Sequence, residues 1–130
     1  MTPLFNKLNL GKHEVVHVLN APASFEGELG ALSGVAVKRT LSGGTDFALA
    51  FVMTRAELDA ASSKLAKAAR GDAILWMAYP KGTSKKYKCE FNRDSGWKVL
   101  RGEGFDTVRM VAIDEDWSAL RFRRAKHIKR

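Results

Sequence analysis

The chain has 130 residues, 45% of them hydrophobic, a formal net charge of +8 and a single cysteine, Cys89. This length buries one ordinary core rather than two, and one cysteine excludes an internal disulfide framework and a multi-cysteine zinc centre. The first residues hold no apolar signal core and no run approaches the roughly 20 apolar residues of a membrane span, so the expected setting is cytoplasmic, with no membrane partner.

His13-Glu14-Val15-Val16-His17 has the H-E-x-x-H spacing with which zinc proteases hold a metal, a pattern that works only on a helix. Residues 13–20 instead combine three valines and a leucine between Gly11 and Asn20-Ala21-Pro22, which specifies a strand bounded by turns. On a strand rising about 3.3 Å per residue the two histidines lie roughly 13 Å apart, too far to share an ion. No metal site is expected there.

Next, Phe25, Leu29 and Leu32 fall at helical spacing, with Ser24 as the expected N-cap and Gly34 as the stop. Residues 35–40 read as a brief strand, and Leu41-Ser42-Gly43-Gly44 as a flexible link. Residues 45–53, TDFALAFVM, form an almost continuous apolar run suited to a strand covered on both faces. In the helix that follows, Thr54 and Glu57 make a capping box, Leu58, Ala61, Leu65 and Ala68 share a face, and Gly71 is the expected end. Residues 72–80, DAILWMAYP, are a second buried strand. A short helix is expected near Asp94, with Trp97 and Leu100 inward and Gly104 as its end, and two strands joined at Asp114-Glu115-Asp116 close the chain as a hairpin.

Strands alternating with helices imply parallel βαβ units. The expected fold is a three-layer α/β sandwich with a mostly parallel sheet, Rossmann-like or flavodoxin-like, and a C-terminal antiparallel hairpin. One domain, residues 1–124, is followed by a basic tail, 125–130. The weak point is the connection between Arg39 and Phe47, which is too short for a helix.

The second half resembles a family of small bacterial proteins catalogued as a domain of unknown function. The resemblance rests on Pro80 and Lys81 ending a strand, on Asp94 with Gly104 and Phe105 bounding a short helix, and on Glu115, Asp116, Trp117, Ser118 and Arg121. It supports the fold and points to the surface around these residues, and it brings no catalytic residues with it.

The charge is concentrated. Residues 121–130 carry six Lys or Arg and residues 81–88 carry four, and neither segment has an acid, so the remainder has a net charge of −2. In open α/β sheets ligands bind beyond the carboxyl ends of the strands. Lys81, Gly82, Thr83 and Ser84 fall there, and with Asp116 and Trp117 across the edge they make the candidate ligand-binding set, able to hold a phosphate or carboxylate. The P-loop and G-x-G-x-x-G spacings are both absent. Asp114, Glu115 and Asp116 read first as turn formers, and no Ser, His and Asp set is recognisable. The expected function is therefore a noncatalytic binding or interaction module for an anionic small molecule or protein partner, with no cofactor and no catalytic residue. The alternatives are a small enzyme acting on an anionic substrate at the same edge, or a weak nonspecific nucleic-acid binder using the tail; nucleic acid is the less expected partner.

Overall fold

In the computed structural model, residues 3–92 and 95–128 are described; the expected helix start at Asp94 and the last two tail residues lie outside them. The elements are α1 (Pro3–Lys7), β1 (Val15–Leu19), α2 (Glu26–Gly30), β2 (Ala36–Lys38), β3 (Thr45–Phe51), α3 (Arg55–Ala68), β4 (Ala69–Pro80), α4 (Lys98–Gly102), β5 (Phe105–Ala112) and β6 (Trp117–Arg124). They build a six-stranded sheet in the order β2-β1-β3-β4-β6-β5. β1 pairs in parallel with β2 and β3, β3 in parallel with β4, and β6 runs antiparallel to both β4 and β5. This is the expected Rossmann-like sandwich, mostly parallel with an antiparallel terminal hairpin.

The apolar run of β3 shows how the layers form. Phe47, Leu49 and Phe51 enter the core on one face with Phe5, Phe25 and Trp76, while Ala48 and Ala50 enter the core on the other with Leu58, Leu65 and Met77. Large side chains thus meet the thin layer of α1 and α2, and alanines let α3 approach closely, as the period-2 alternation of a strand dictates. The Thr54–Glu57 capping box that opens α3 is present as expected.

Several local expectations are corrected. Ser24 caps nothing: Pro22 leads into a 3-10 turn, Ala23–Phe25, with no side-chain cap, and α2 follows directly. α3 ends at Ala68 and passes into β4 without a loop, and Gly71, at φ +52°, lies inside β4 rather than at the helix end. There the ladder jumps from Thr45↔Ala69 to Phe47↔Ile74, so residues 70–73 bulge out of the sheet. The bulge is held by the last residues of β6: Arg123 makes a fork to Asp72, at 2.8 and 2.6 Å, and Arg124 donates to the carbonyls of Gly71 and Ala69. Arg123 and Arg124, in the basic run of residues 121–130, are therefore structural. Residues 125–127 form a 3-10 turn whose Ala125 N–H donates to the carbonyl of Gly104, so the chain stays docked past Arg124.

The short connection runs from the end of β2 to the start of β3 past β1, which lies between them. Leu41 packs into the core on the α3 side, so the link passes over that face of the sheet. On the opposite face of the hairpin, Arg109 of β5 stands directly across from Arg121 of β6, and neither makes an ion pair among the described residues. Arg121 is half-buried with its Nε unbonded, and burial first, then Arg123, lowers its pKa.

Candidate functional site

The sheet reverses its winding between β1 and β3, since β2 lies to one side and β4 to the other. A crevice outside the carboxyl ends at such a reversal is where open α/β sheets place their ligands. Here it is a cleft of about 490 Å³ with Leu19 and Asn20 at the tip of β1, Arg39, Thr40 and Leu41 beyond β2, and Glu57, Ala60, Ala61 and Lys64 of α3 as its far wall.

The turn after β1 has no glycine. Asn20 itself adopts φ +60°, one of two non-glycine residues in the left-handed region among the described residues, the other being Asn9. Asparagine tolerates this conformation better than most, and strained backbone collects at functional turns. Dinucleotide-binding folds place an acid about 20 residues beyond their first turn to hold a ribose. Arg39 stands at that distance here, in a fork of two 2.7 Å hydrogen bonds to Glu26. That fork holds the Glu26 carboxyl below its ordinary range. Glu57 spends Oε1 on the N–H groups of Met53 and Thr54.

Of the residues singled out from the sequence, Lys81 and Ser84 contact Asp116. Lys81 N–H donates to the carbonyl of Asp116, and Ser84 Oγ donates to Asp116 Oδ1 at 2.8 Å while accepting from the N–H groups of Lys86 and Tyr87. Trp117 is 3% exposed, packed on Phe51 and Tyr87, and thus belongs to the core. Asp114 Oδ1 accepts from the N–H groups of Asp116 and Trp117, which is turn formation. Thr83 and Asp116 line an open cleft of about 570 Å³ beside Lys85, Lys86 and Glu115, while Lys81 and Gly82 line a separate one of about 300 Å³ beside Cys89. Burial pushes the Cys89 thiol up, away from a reactive thiolate.

The switch-point crevice was missed because its residues are scattered over Leu19 to Lys64 and become neighbours only once the strand order is known. The one local signal was Asn20 closing a β-strand where a helix should begin. Of the two histidines of the H-E-x-x-H motif, His13 precedes β1 and so falls outside the expected strand, while His17 lies within it as expected, 8% exposed and bonded to Thr45. Among the described residues, no group of three or more His, Cys, Asp or Glu side chains is placed to hold a metal, and no helix is long and apolar enough to cross a membrane.

No family model matches the chain, and neither does any curated protein. Solved structures do match. A SAM-dependent methyltransferase from Aquifex aeolicus superposes with a TM-score of 0.64 at 12% identity, covering 94% of this chain and 88% of that one. Magnesium protoporphyrin IX methyltransferase from Synechocystis PCC 6803 with bound SAH gives 0.60 at 16% identity, with coverage of 94% and 78%. The N-methyltransferase NodS from Bradyrhizobium japonicum WM9, in complex with S-adenosyl-L-homocysteine, gives 0.57 at 11% identity, with coverage of 94% and 84%. At these identities the likeness is one of fold. The expectation of a noncatalytic module for an anionic small molecule or protein is corrected on this finding: the solved structures that share the fold are methyltransferases, two of them with bound S-adenosyl-L-homocysteine.

Proposed function

We propose that the chain is a small methyltransferase-type enzyme that binds an S-adenosyl compound in the switch-point crevice. The observation that supports this most directly is the crevice itself, open beyond the carboxyl end of β1 and walled by α3, in a sheet whose fold is shared with methyltransferases.

The donor set there fits such a compound. Leu19, Leu41, Ala60 and Ala61 offer an apolar wall for a flat heterocycle. The Asn20 amide and Thr40 hydroxyl can both donate to and accept from ribose hydroxyls. The Lys64 ammonium suits a carboxylate, and the Oε2 of Glu57 suits an ammonium group. When bound, S-adenosylmethionine supplies an electrophilic methyl group. The chain's own part is to bind, orient and exclude water, with Asn20 setting the turn and the Arg39–Glu26 fork joining the tip of β2 to the start of α2.

Titration with S-adenosyl-L-homocysteine, followed by amide NMR shifts and calorimetry, tests this. Saturable binding is expected, with shifts concentrated at Asn20, Thr40, Leu41 and Lys64, and with loss of binding in Ala60→Trp, which fills the crevice from an exposed helix position. Absence of saturation at millimolar ligand, or shifts confined to the Thr83–Asp116 edge, would overturn the proposal.

A further inference from the structure

At the amino ends of the strands, on the edge opposite the switch-point crevice, lies a second cavity of about 650 Å³. The link between β2 and β3 borders it, and both histidines of the opening motif line it. His13 comes from the turn before β1. His17 comes from β1 itself, more than nine-tenths buried.

The hydrogen bonds of His17 fix its tautomer. Thr45 Oγ1 donates to the carbonyl of Phe47 at 3.0 Å, so toward His17 it can only accept. Its 2.7 Å contact with His17 Nδ1 is therefore an Nδ1–H donation. The Phe47 carbonyl, which Thr45 Oγ1 also bonds, is the ring's other hydrogen-bond partner, and Nε2 is left as a bare lone pair on a ring that lines the cavity. Burial, reinforced by Lys38 and Arg70, lowers the imidazole pKa and keeps the ring neutral.

The rest of the wall is also placed for a ligand. A Cβ on Gly44 would come within 2.6 Å of Arg70 Cδ, so the absence of a side chain at residue 44 is what lets Arg70 lie there and reach Asp46 at 2.9 Å. Lys12, Lys38 and Glu14 also line the cavity and make no ion pair among the described residues.

These features select a ligand by its hydrogen bonding. A bare oxyanion would face the Nε2 lone pair, and an ammonium would face Lys12, Lys38 and Arg70. A hydroxyl satisfies both sides, because one oxygen can donate to Nε2 and accept from a neighbouring ammonium. The geometry points to a second binding site, for a neutral polyhydroxyl compound such as a sugar, in which a ligand hydroxyl donates to His17 Nε2 and a vicinal hydroxyl bridges Lys38 and Glu14.

The test is NMR of the histidine ring nitrogens of the full chain at neutral pH, titrated with D-ribose and, separately, with inorganic sulfate. The expected result is an Nδ1–H tautomer for His17 and a saturable shift of its Nε2 resonance with ribose and not with sulfate. Lys38→Met, at an exposed position, should weaken ribose binding several-fold, as should Gly44→Ala, which displaces Arg70. An Nε2–H tautomer, a response to sulfate alone, or no response of His17 to ribose would overturn the inference. Ribose shifts confined to Asn20 and Thr40 would overturn it too, while leaving the switch-point proposal standing.

Discussion

His17 shows how one buried side chain couples to solution conditions. Burial, Lys38 and Arg70 all lower its pKa in the folded chain below the ordinary 6.5. The unfolded chain therefore takes up a proton before the folded chain does. The stability held by neutral His17 is complete above pH 6.5, falls as the pH drops below that value, and levels off once the folded ring also titrates. Urea unfolding of the wild type and of His17→Gln across neutral to mildly acidic pH should show the wild type losing stability relative to the variant as pH falls; parallel curves would show that His17 is not the group responsible. In the sequence the same residue looked like half of a metal site. The β-branched run between turn residues separated strand from helix, but it could not show that Thr45, 28 residues away, holds the ring.

Among the elements, those whose evidence is local were legible. The capping box and repeated apolar face defined α3, and the unbroken apolar run defined β3, because each signal lies within one stretch of chain. α1 gave none, being five residues long and stable only through its partner: Leu4, Phe5 and Leu8 are buried against the sheet, and the carbonyl of Leu8 accepts from Trp76 Nε1 at 2.9 Å. Gly71 misled for a related reason, since a left-handed glycine after a helix pattern is the usual sign of a helix end, and only the arginines of β6, more than fifty residues on, show that it belongs to a bulge. Trp76→Phe should remove the Leu8 bond at a cost of about 1 kcal/mol, and Trp76→Ala should cost about 3 to 5 kcal/mol. Chemical denaturation checks both. The Phe variant should also raise amide exchange in α1 before the rest of the chain, and unchanged exchange there would separate α1 from Trp76.

For the molecule as a whole, the class of fold followed from alternation of strands and helices, whereas the position of the switch-point crevice depended on strand order. The link after β2 passes β1 and sets the reversal between β1 and β3, and no local pattern announces which neighbour a strand will choose. The basic C-terminal run likewise divides by tertiary context: Arg123 and Arg124 secure the bulge of β4, while Arg121 is left facing Arg109. Like charges directly opposed across a ladder repel, and mobile ions weaken that repulsion over a Debye length of about 10 Å at 0.1 M. The outer hairpin is therefore expected to close more firmly as salt is added, the opposite of a hairpin tied by ion pairs alone. Hydrogen exchange measured across a sodium chloride series should show slower exchange of β5 amides at higher salt, with Arg109→Gln abolishing the trend. Faster exchange with salt would mean that the Arg123–Asp72 fork, not the facing arginines, governs this edge. The terminal hairpin thus acts as a seam whose tightness is set by the surrounding electrolyte.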